Sequence, residues 1–210
     1  MSDARQEAGA RRPLLVSTTR RAVSAAQRER RNGHPGSIVW LTGLSGAGKS
    51  TIAVELEEAL FERGRHTYLI DGDNLRQGLC ADLGFSEADR NENVRRAGEV
   101  AALFADAGFI AIVALISPFR AGRDAVRGVL PAGRFLEVYV NAPIEICEAR
   151  DPKGLYAKAR AGEIAAFTGI SSPYEPPRTA ELELHTDRQS VSDCVTAILD
   201  ALGQPNDQRM

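Results

Sequence analysis

The chain has 210 residues, of which 43% are hydrophobic and 26% are charged, proportions that suit one soluble α/β domain with a complete core. The net charge of −2 is unevenly divided: residues 1–36 carry +5, from eight Arg against three acidic residues, and the remainder carries −7. This acidic remainder argues against a nucleic-acid partner, and no apolar run reaches the ~18 residues that a membrane span needs. Three widely spaced cysteines without a C-x-x-C pair predict free buried thiols in the reducing cytoplasm.

Residues 1–36 form the first predicted region, an Arg-rich N-terminal arm that we expect to be flexible or associated with a dimer partner. The arm is polar and ends in a turn cluster, Asn32-Gly33-His34-Pro35-Gly36. A short helix around Ser17–Arg31 is compatible with its sequence, and its Arg and Ser content leaves a transit peptide as an alternative. The main domain is predicted over residues 37–204, followed by a C-terminal tail at 205–210.

A strand, a glycine-rich loop and a helix come next. Ser37–Thr42 is short, apolar and β-rich, as a buried parallel strand should be. The run Gly43-Leu44-Ser45-Gly46-Ala47-Gly48-Lys49-Ser50 fits G-x-x-x-x-G-K-[ST], and Ile52, Leu56 and Leu60 then place one apolar face on a helix. Glycines let successive N–H groups line one concavity for phosphate oxygens, and the helix N-terminus adds positive charge. This order of elements predicts a nucleoside triphosphate site.

The residue types in this loop assign roles to its side chains. Lys49 is expected to reach the β- and γ-phosphates, and the Ser50 hydroxyl to ligate Mg²⁺. Only three lysines occur in the chain, and a compact ammonium suits a phosphate pocket better than a planar guanidinium. The loop residues predicted to bind ATP are Gly43, Ser45, Gly46, Ala47, Gly48, Lys49, Ser50 and Thr51.

The rest of the chain alternates strand and helix patterns, which predicts a P-loop NTPase fold of the α/β class, with three α/β/α layers and a mainly parallel sheet. The predicted strands are His66–Ile70, Phe109–Ile116 (the most apolar, expected at the centre), Phe135–Val140 and Leu182–Thr186. The predicted helices are Asp89–Ala107, Gly122–Leu130, Pro143–Arg150 and Ser190–Leu202. Residues 151–178 lack a hydrophobic period and are rich in Gly, Pro, Lys and Arg, which favours a mobile lid.

Polar clusters follow two of these strands, at Asp71–Arg76 and at Ser117–Arg120, on the edge of a parallel sheet where ligands bind. Asp73 is placed to hold Mg²⁺ through water or to orient an attacking oxygen, although Asp-Gly-Asp-Asn is also a good turn. Arg76 beside it favours a second anionic ligand. Arg90 and Asn93, at the start of the long helix, are expected to face the same cleft, and Phe85 could stack on a base.

Together these residues resemble the adenylylsulfate kinase (APS kinase) family over Ser37 to about Leu202. The runs that carry the likeness are Trp40–Thr51, Asp71–Arg76, Gly84–Ser86, Asp89–Arg96, Ile116–Pro118, Arg150–Tyr156, Ala159–Ile164, Phe167–Ile170 and Pro173–Glu175. A glycine loop alone would indicate only a superfamily. The additional runs single out one family within it.

The resemblance implies a phosphotransferase with an alcohol acceptor, which moves the ATP γ-phosphate to the 3′-hydroxyl of adenosine 5′-phosphosulfate (APS) and gives PAPS and ADP. It implies catalytic roles for Lys49, Asp73 and Ser117, and metal ligation by Ser50 and Asp73. The residues implied for APS are Asp73, Asn74, Leu75, Arg76, Phe85, Arg90, Asn93, Ile116, Ser117, Lys153, Ala166 and Phe167. Phe85 and Phe167 would sandwich its adenine. Arg150 and Gln189 are implied for ATP, and a homodimer and a functional link to ATP sulfurylase are implied as partners.

Alternatives concern Ser117 and the acceptor. The family is often described with a phosphoserine at the position of Ser117, whereas direct in-line transfer between two bound nucleotides would make that residue substrate-lining. A kinase of another small metabolite is the second interpretation of the fold. A non-catalytic nucleotide-binding module is the third, and the intact Lys49, Ser50 and Asp73 argue against it.

Overall fold

The structure, a computed structural model, describes residues 22–151 and 153–203. Its strands are β1 (Ser37–Thr42), β2 (Thr67–Asp71), β3 (Ile110–Ala114), β4 (Phe135–Asn141) and β5 (Leu182–His185). Its helices are α1 (Ala25–Asn32), α2 (Lys49–Glu62), α3 (Gly72–Leu75), α4 (Glu87–Asp106), α5 (Arg120–Arg127), α6 (Ile144–Arg150), α7 (Leu155–Arg160) and α8 (Val191–Gly203). The first 21 residues of the predicted arm and the whole predicted C-terminal tail lie outside the described residues.

All five strands are parallel and follow the order β2-β3-β1-β4-β5. Every residue of β1 is buried, because successive side chains alternate between two covered faces. Val39 and Leu41 join the core beneath α2 and α8, whereas Ile38 and Trp40 join the core beneath α4. The predicted three-layer α/β fold with a parallel sheet is confirmed.

β1, and not the more apolar β3, occupies the centre of the sheet. β3 lies between β2 and β1, and all five of its residues are buried. The prediction that the most apolar strand is central was therefore wrong. The hydrophobicity of a strand indicates that both of its faces are buried, which is true of every inner strand of the sheet. The order of the strands is decided by the crossover connections.

Local capping signals fix the helix ends as expected. The hydroxyl of Ser190 accepts the N–H of Asp193 at 3.1 Å, and the Asp193 carboxylate accepts the N–H of Ser190 at 3.1 Å, which confirms the predicted capping box at α8. All three cysteines are buried and free, as predicted. Within the described ranges, no helix has the length and apolar character to cross a membrane.

The described end of the arm packs against the domain. α1 starts at a Ser24 capping box, and its last residue, Asn32, donates from Nδ2 to the Gly108 carbonyl at 3.0 Å. The Arg134 guanidinium bonds to Glu29 at 2.8 Å. His34 is 5% exposed, and its Nε2 accepts the backbone N–H of His66 at 3.0 Å.

We expect acid to weaken the fold at His34. Burial lowers the pKa of His34 below its usual 6.5, and the hydrogen bond to the Pro35 carbonyl only partly opposes this; Arg65 and His66 lower it further. The neutral ring therefore stabilises the fold above pH 6.5, and this contribution is lost as the pH falls through the lowered pKa.

The matched variant is His34→Gln, whose amide oxygen can still accept the His66 N–H without titrating. Urea unfolding measures the free energy of unfolding of each protein. The difference between wild type and this variant should be constant above pH 7. It should fall as the pH drops below 6.5. Identical pH profiles for the two proteins would contradict the assignment.

Candidate nucleotide-binding and phosphoryl-transfer site

The loop between β1 and α2 depends on glycine for its shape. Gly43, Gly46 and Gly48 have φ angles of 153°, 74° and 100°, which L side chains rarely adopt. A Cβ on Gly43 would lie 2.3 Å from the Val140 carbonyl oxygen, and one on Gly46 would lie 2.8 Å from that of Cys147. The loop therefore packs directly on the backbone of its neighbours, and α2 begins from it at Lys49.

Lys49 is folded back into this loop. Its side chain is buried, and Nζ donates to the carbonyls of Gly43 at 2.9 Å and Leu44 at 2.7 Å. Burial lowers the pKa of Lys49 to about 8, against a smaller opposing effect of Cys147 and Asp71. A poorly hydrated ammonium held by two carbonyls can exchange them for phosphate oxygens at little further desolvation cost.

Ser50 faces Asp71, a residue to which the sequence analysis gave no role. Its hydroxyl donates to Asp71 Oδ2 at 2.7 Å, and Asp71 Oδ1 accepts the Asp73 N–H at 2.9 Å. A hydroxyl and a carboxylate oxygen at this spacing are the hard ligands that Mg²⁺ takes beside phosphates. The position of Asp71 at the end of a strand next to the glycine loop was the signal that could have identified it.

Asp73 instead pairs with the lid. Its carboxylate bonds to Nζ of Lys153, and both side chains are more than half exposed. This ion pair thus joins the start of the predicted lid to α3, 80 positions away in the chain. Asn74 and Leu75 share the single turn of α3 with Asp73, so this part of the predicted acceptor site is assembled.

Arg90 joins two loops of the predicted acceptor site. It is 8% exposed, and its Nε donates to the Phe85 carbonyl at 2.9 Å. Its Nη1 donates to Thr168 Oγ1 at 2.7 Å, and Nη2 donates to the Ala166 carbonyl. Burial lowers the pKa of Arg90, and Arg76 lowers it further. The sequence analysis placed this side chain in the APS site. It did not predict that Arg90 would connect the Phe85 loop to residues 166 and 168 of the lid.

Asn93 presents an unused donor one turn further along α4. It is 4% exposed, and its Nδ2 is the single buried side-chain nitrogen or oxygen in residues 22–151 and 153–203 that lacks a hydrogen-bond partner. Such an unsatisfied group costs about 1–3 kcal/mol. The expected compensation is a ligand acceptor, which is the role that the sequence predicted for Asn93.

The two predicted aromatic plates differ in exposure. Phe85 is 58% exposed, and the Arg76 guanidinium carbon lies 4.3 Å from the centre of its ring. Phe167 is 7% exposed and packs edge-on against Tyr156, with ring centres 4.8 Å apart. Arg90 ties their two loops together, but the sandwich around an adenine stays a prediction.

Ser117 is enclosed at the end of β3. Its side chain is 2% exposed; Oγ accepts Trp40 Nε1 at 3.0 Å and donates to Thr42 Oγ1 at 3.0 Å. The half-buried Ile116 precedes it, and its carbonyl accepts the Thr42 hydroxyl at 2.8 Å. Phosphorylation of Ser117 would require this network to open, so the implied catalytic role stays a prediction.

Arg150, the last residue of α6, lies between the glycine loop and the loop that follows β5. Its Nη1 donates to the carbonyl of Gly46 at 3.3 Å, and its Nη2 donates to that of Thr186 at 2.6 Å. Thr186 Oγ1 donates to the Ala47 carbonyl at 2.8 Å, a contact that the sequence analysis missed. Gln189 accepts the His185 N–H through its side-chain oxygen. Of the two residues predicted for ATP outside the glycine loop, Arg150 therefore contacts that loop, and Gln189 lies in the segment that follows β5.

A parallel sheet of this order, a glycine loop over its central strand and a buried lysine at the start of the next helix define a P-loop kinase. Comparison with known proteins then identifies the family. The family model of adenylylsulphate kinase matches residues 35–185. The chain belongs to the adenylylsulphate kinase family.

Individual relatives agree with this assignment. The adenylyl-sulfate kinase of Klebsiella pneumoniae subsp. pneumoniae is 59% identical over 182 residues, which cover 87% of this chain and 90% of the relative. That of Shewanella oneidensis is 58% identical over 181 residues, covering 86% and 88%. The solved structure of the Mycobacterium tuberculosis APS kinase CysC in complex with AMPPNP and APS is 50% identical, with a TM-score of 0.78, and covers 81% of this chain and 99% of that one.

Proposed function

We propose that the chain is an adenylyl-sulfate kinase, which transfers the γ-phosphate of ATP to the 3′-hydroxyl of APS and releases PAPS and ADP. The observation that carries this proposal is the family match over residues 35–185. That range contains the glycine loop, the α3 turn, the first turns of α4 and the predicted lid. Of the residues assigned to the two nucleotides, Gln189 alone lies outside it.

The donor half of the site binds the ATP phosphates. Backbone N–H groups of the glycine loop and the N-terminus of α2 attract the anionic oxygens. Lys49 exchanges the Gly43 and Leu44 carbonyls for the β- and γ-phosphates. Ser50 and Asp71 would hold Mg²⁺, which supplies neutralisation of the phosphate charge; Asp73 is the ligand that the family resemblance implies. Arg150 lies beside the loop for the nucleoside end of ATP.

The acceptor half binds APS between α3, α4 and the lid. Asn93 donates its unused N–H to the ligand, and Arg76 neutralises its phosphate or sulfate. Phe85 offers an exposed ring to the adenine. The Arg76 guanidinium that covers this ring in the structure must therefore shift when the base enters, and the anionic group of APS gives it a new partner.

Asp73 orients the attacking hydroxyl. Its carboxylate is exposed on α3, directly after β2, and it bonds to Lys153 of the lid. Accepting a hydrogen bond from the 3′-hydroxyl aligns that oxygen with the γ-phosphorus and takes its proton during transfer. Residues 151–178 act as the lid that carries Lys153 and Phe167 over the two ligands and excludes water.

A coupled assay of ADP release tests the proposal directly. With ATP and Mg²⁺, ADP should appear when APS is added at micromolar concentration, and a product with a 3′-phosphate should be recovered. Turnover of another alcohol without turnover of APS would refute the proposal and favour a kinase of a different small metabolite.

Phe85→Ala separates the acceptor from the donor. Loss of one stacking plate is expected to raise the KM for APS about 10- to 100-fold. The Kd for ATP should stay within about twofold, because the Phe85 ring lies against Arg76 and Arg90, which are assigned to the acceptor. Leu79→Ala, which shortens another exposed apolar side chain between α3 and α4, is the control and should leave both constants unchanged. An unchanged KM for APS in Phe85→Ala would contradict the assignment of Phe85 as a stacking partner of the adenine.

Three further assignments belong to the same proposal. We infer a homodimer, supported by the exposed apolar side chains of Val54 and Phe61, which lie seven residues apart on one stripe of α2. Sedimentation equilibrium tests this inference.

APS must be supplied by adenylyl transfer from ATP to sulfate, which is the basis of a functional link to ATP sulfurylase. Three free thiols fit a reducing cytoplasm.

A further inference from the structure

Arg123, on α5, is the most deeply buried charged side chain among the described residues, at 1% exposure. Its three guanidinium nitrogens donate to three separate parts of the fold: Nε to Glu137 Oε1 at 2.7 Å, Nη1 to the Ser117 carbonyl at 2.7 Å and Nη2 to the Glu175 carbonyl at 2.8 Å. A planar fork with donors on three nitrogens can make this arrangement, whereas a single ammonium cannot. The Glu137 carboxylate compensates the buried charge.

Two of these contacts join segments that also bond to each other. The first is the β3 exit loop, residues 115–118, and the second is the lid exit, residues 174–176. The Glu175 N–H donates to the Pro118 carbonyl at 2.8 Å, and Nε of Arg120, the first residue of α5, donates to the Pro176 carbonyl at 2.6 Å. The Tyr174 hydroxyl lies 3.0 Å from Thr42 Oγ1, directly before the glycine loop. The β3 exit loop and the lid exit therefore form one hydrogen-bonded unit on top of β1 and β3.

The β3 exit loop is strained where Arg123 holds it. Ser117 has a φ of 40°, in the left-handed region that residues other than glycine rarely adopt. Such a conformation persists only when its surroundings over-determine it. Trp40 and Thr42 fix the Ser117 hydroxyl, and Arg123 fixes its carbonyl.

We propose that Arg123 is a positioning residue for the acceptor half of the site, which locks the β3 exit loop and the lid exit together and so sets where the lid places Phe167. The inference rests on the proposed function. The lid exit begins seven residues after Phe167, and Arg90 holds the intervening Thr168. None of the hydrogen-bond partners of Arg123 belongs to the glycine loop, so the acceptor step depends on it and ATP binding does not.

The decisive variant is Arg123→Lys, which keeps the charge beside Glu137 and loses the fork. We expect kcat/KM for APS to fall about 100-fold, since a misplacement near 1 Å has that effect, while the Kd for ADP, measured by calorimetry without APS, stays within about twofold. Arg127→Lys is the matched control: Arg127 lies on the same helix and pairs with Glu137 and Glu181, and it bonds to neither segment. It should behave as wild type.

The outcomes separate the two claims. If wild type does not turn over APS, the proposed function fails. If wild type does and Arg123→Lys keeps its kcat/KM for APS, or loses ADP binding by the same factor, the positioning role is refuted. Should Arg123→Lys not fold, Arg120→Ala decides: it removes one bond to the lid exit from a partly exposed side chain, and should lower kcat/KM for APS about fivefold. Wild-type kinetics in Arg120→Ala would then overturn the inference.

Discussion

Replacing Lys49 with Met is expected to lower kcat for ADP release with APS by about 10³ or more, which is the scale on which removal of a preorganised charge acts on a transition state. The ammonium of Lys49 is already desolvated, with Nζ 2.9 Å from the Gly43 oxygen and 2.7 Å from the Leu44 oxygen. Once Nζ has exchanged these two carbonyls for phosphate oxygens, the charge that develops on the transferred phosphoryl group meets a cation that is already desolvated. Steady-state kinetics with saturating ATP and APS measure the effect.

Two further variants check the cause of this loss. Lys158→Met removes one of the other two lysines, from an exposed position on α7, and should leave kcat unchanged. Lys49→Arg should be nearly as inactive as Lys49→Met, because a planar guanidinium does not fit within the curve of the loop. Activity in Lys49→Arg close to that of wild type would show that charge alone is sufficient and that the tight seat of the ammonium is unimportant.

Replacing Asp73 with Asn is expected to lower kcat by about 10² to 10³, the usual contribution of a positioned proton acceptor. The amide keeps the shape of the side chain and its place on α3, but it no longer attracts the proton of the 3′-hydroxyl or pairs with Lys153. The KM for APS should change less than threefold. A loss confined to KM would instead assign Asp73 to binding.

Asp71→Asn distinguishes the two neighbouring carboxylates. Because Ser50 donates to Asp71 Oδ2 at 2.7 Å, we expect this variant to need a higher Mg²⁺ concentration for half-maximal rate, with much of the rate restored at saturating Mg²⁺. Asp73→Asn should not be restored in this way. The reverse result would assign the metal to Asp73, as the family resemblance implies.

Much of the donor site follows from the local sequence. The run from Ser37 to Leu60 contains a β-rich strand, a glycine loop and a helix period, and each of these signals acts between residues close in the chain. The structure has them as β1, the loop and α2. The α8 capping box followed in the same way from Ser190 and Asp193, since a cap involves only backbone groups three residues away.

The proposed acceptor site depends on contacts between residues far apart in the chain. Arg90 meets Ala166 and Thr168, and Lys153 meets Asp73, across separations of 76 to 80 positions. Sequence patterns can predict that these side chains are polar and lie near strand ends, but not whether a guanidinium will meet a ligand or a backbone carbonyl.

The sequence by itself determined the strands, the longer helices, the phosphate loop and the family, because spacing and residue type are sufficient to specify local backbone geometry and a dense set of motifs. The short helices α3 and α7 were not predicted. Only the tertiary structure decided that β1 is central, that Asp71 faces Ser50, that the Ser117 hydroxyl is enclosed and that Arg123 joins the lid exit to the β3 exit loop. These features depend on how the crossovers stack the strands and on which buried donors find acceptors. Both are properties of the folded chain as a whole.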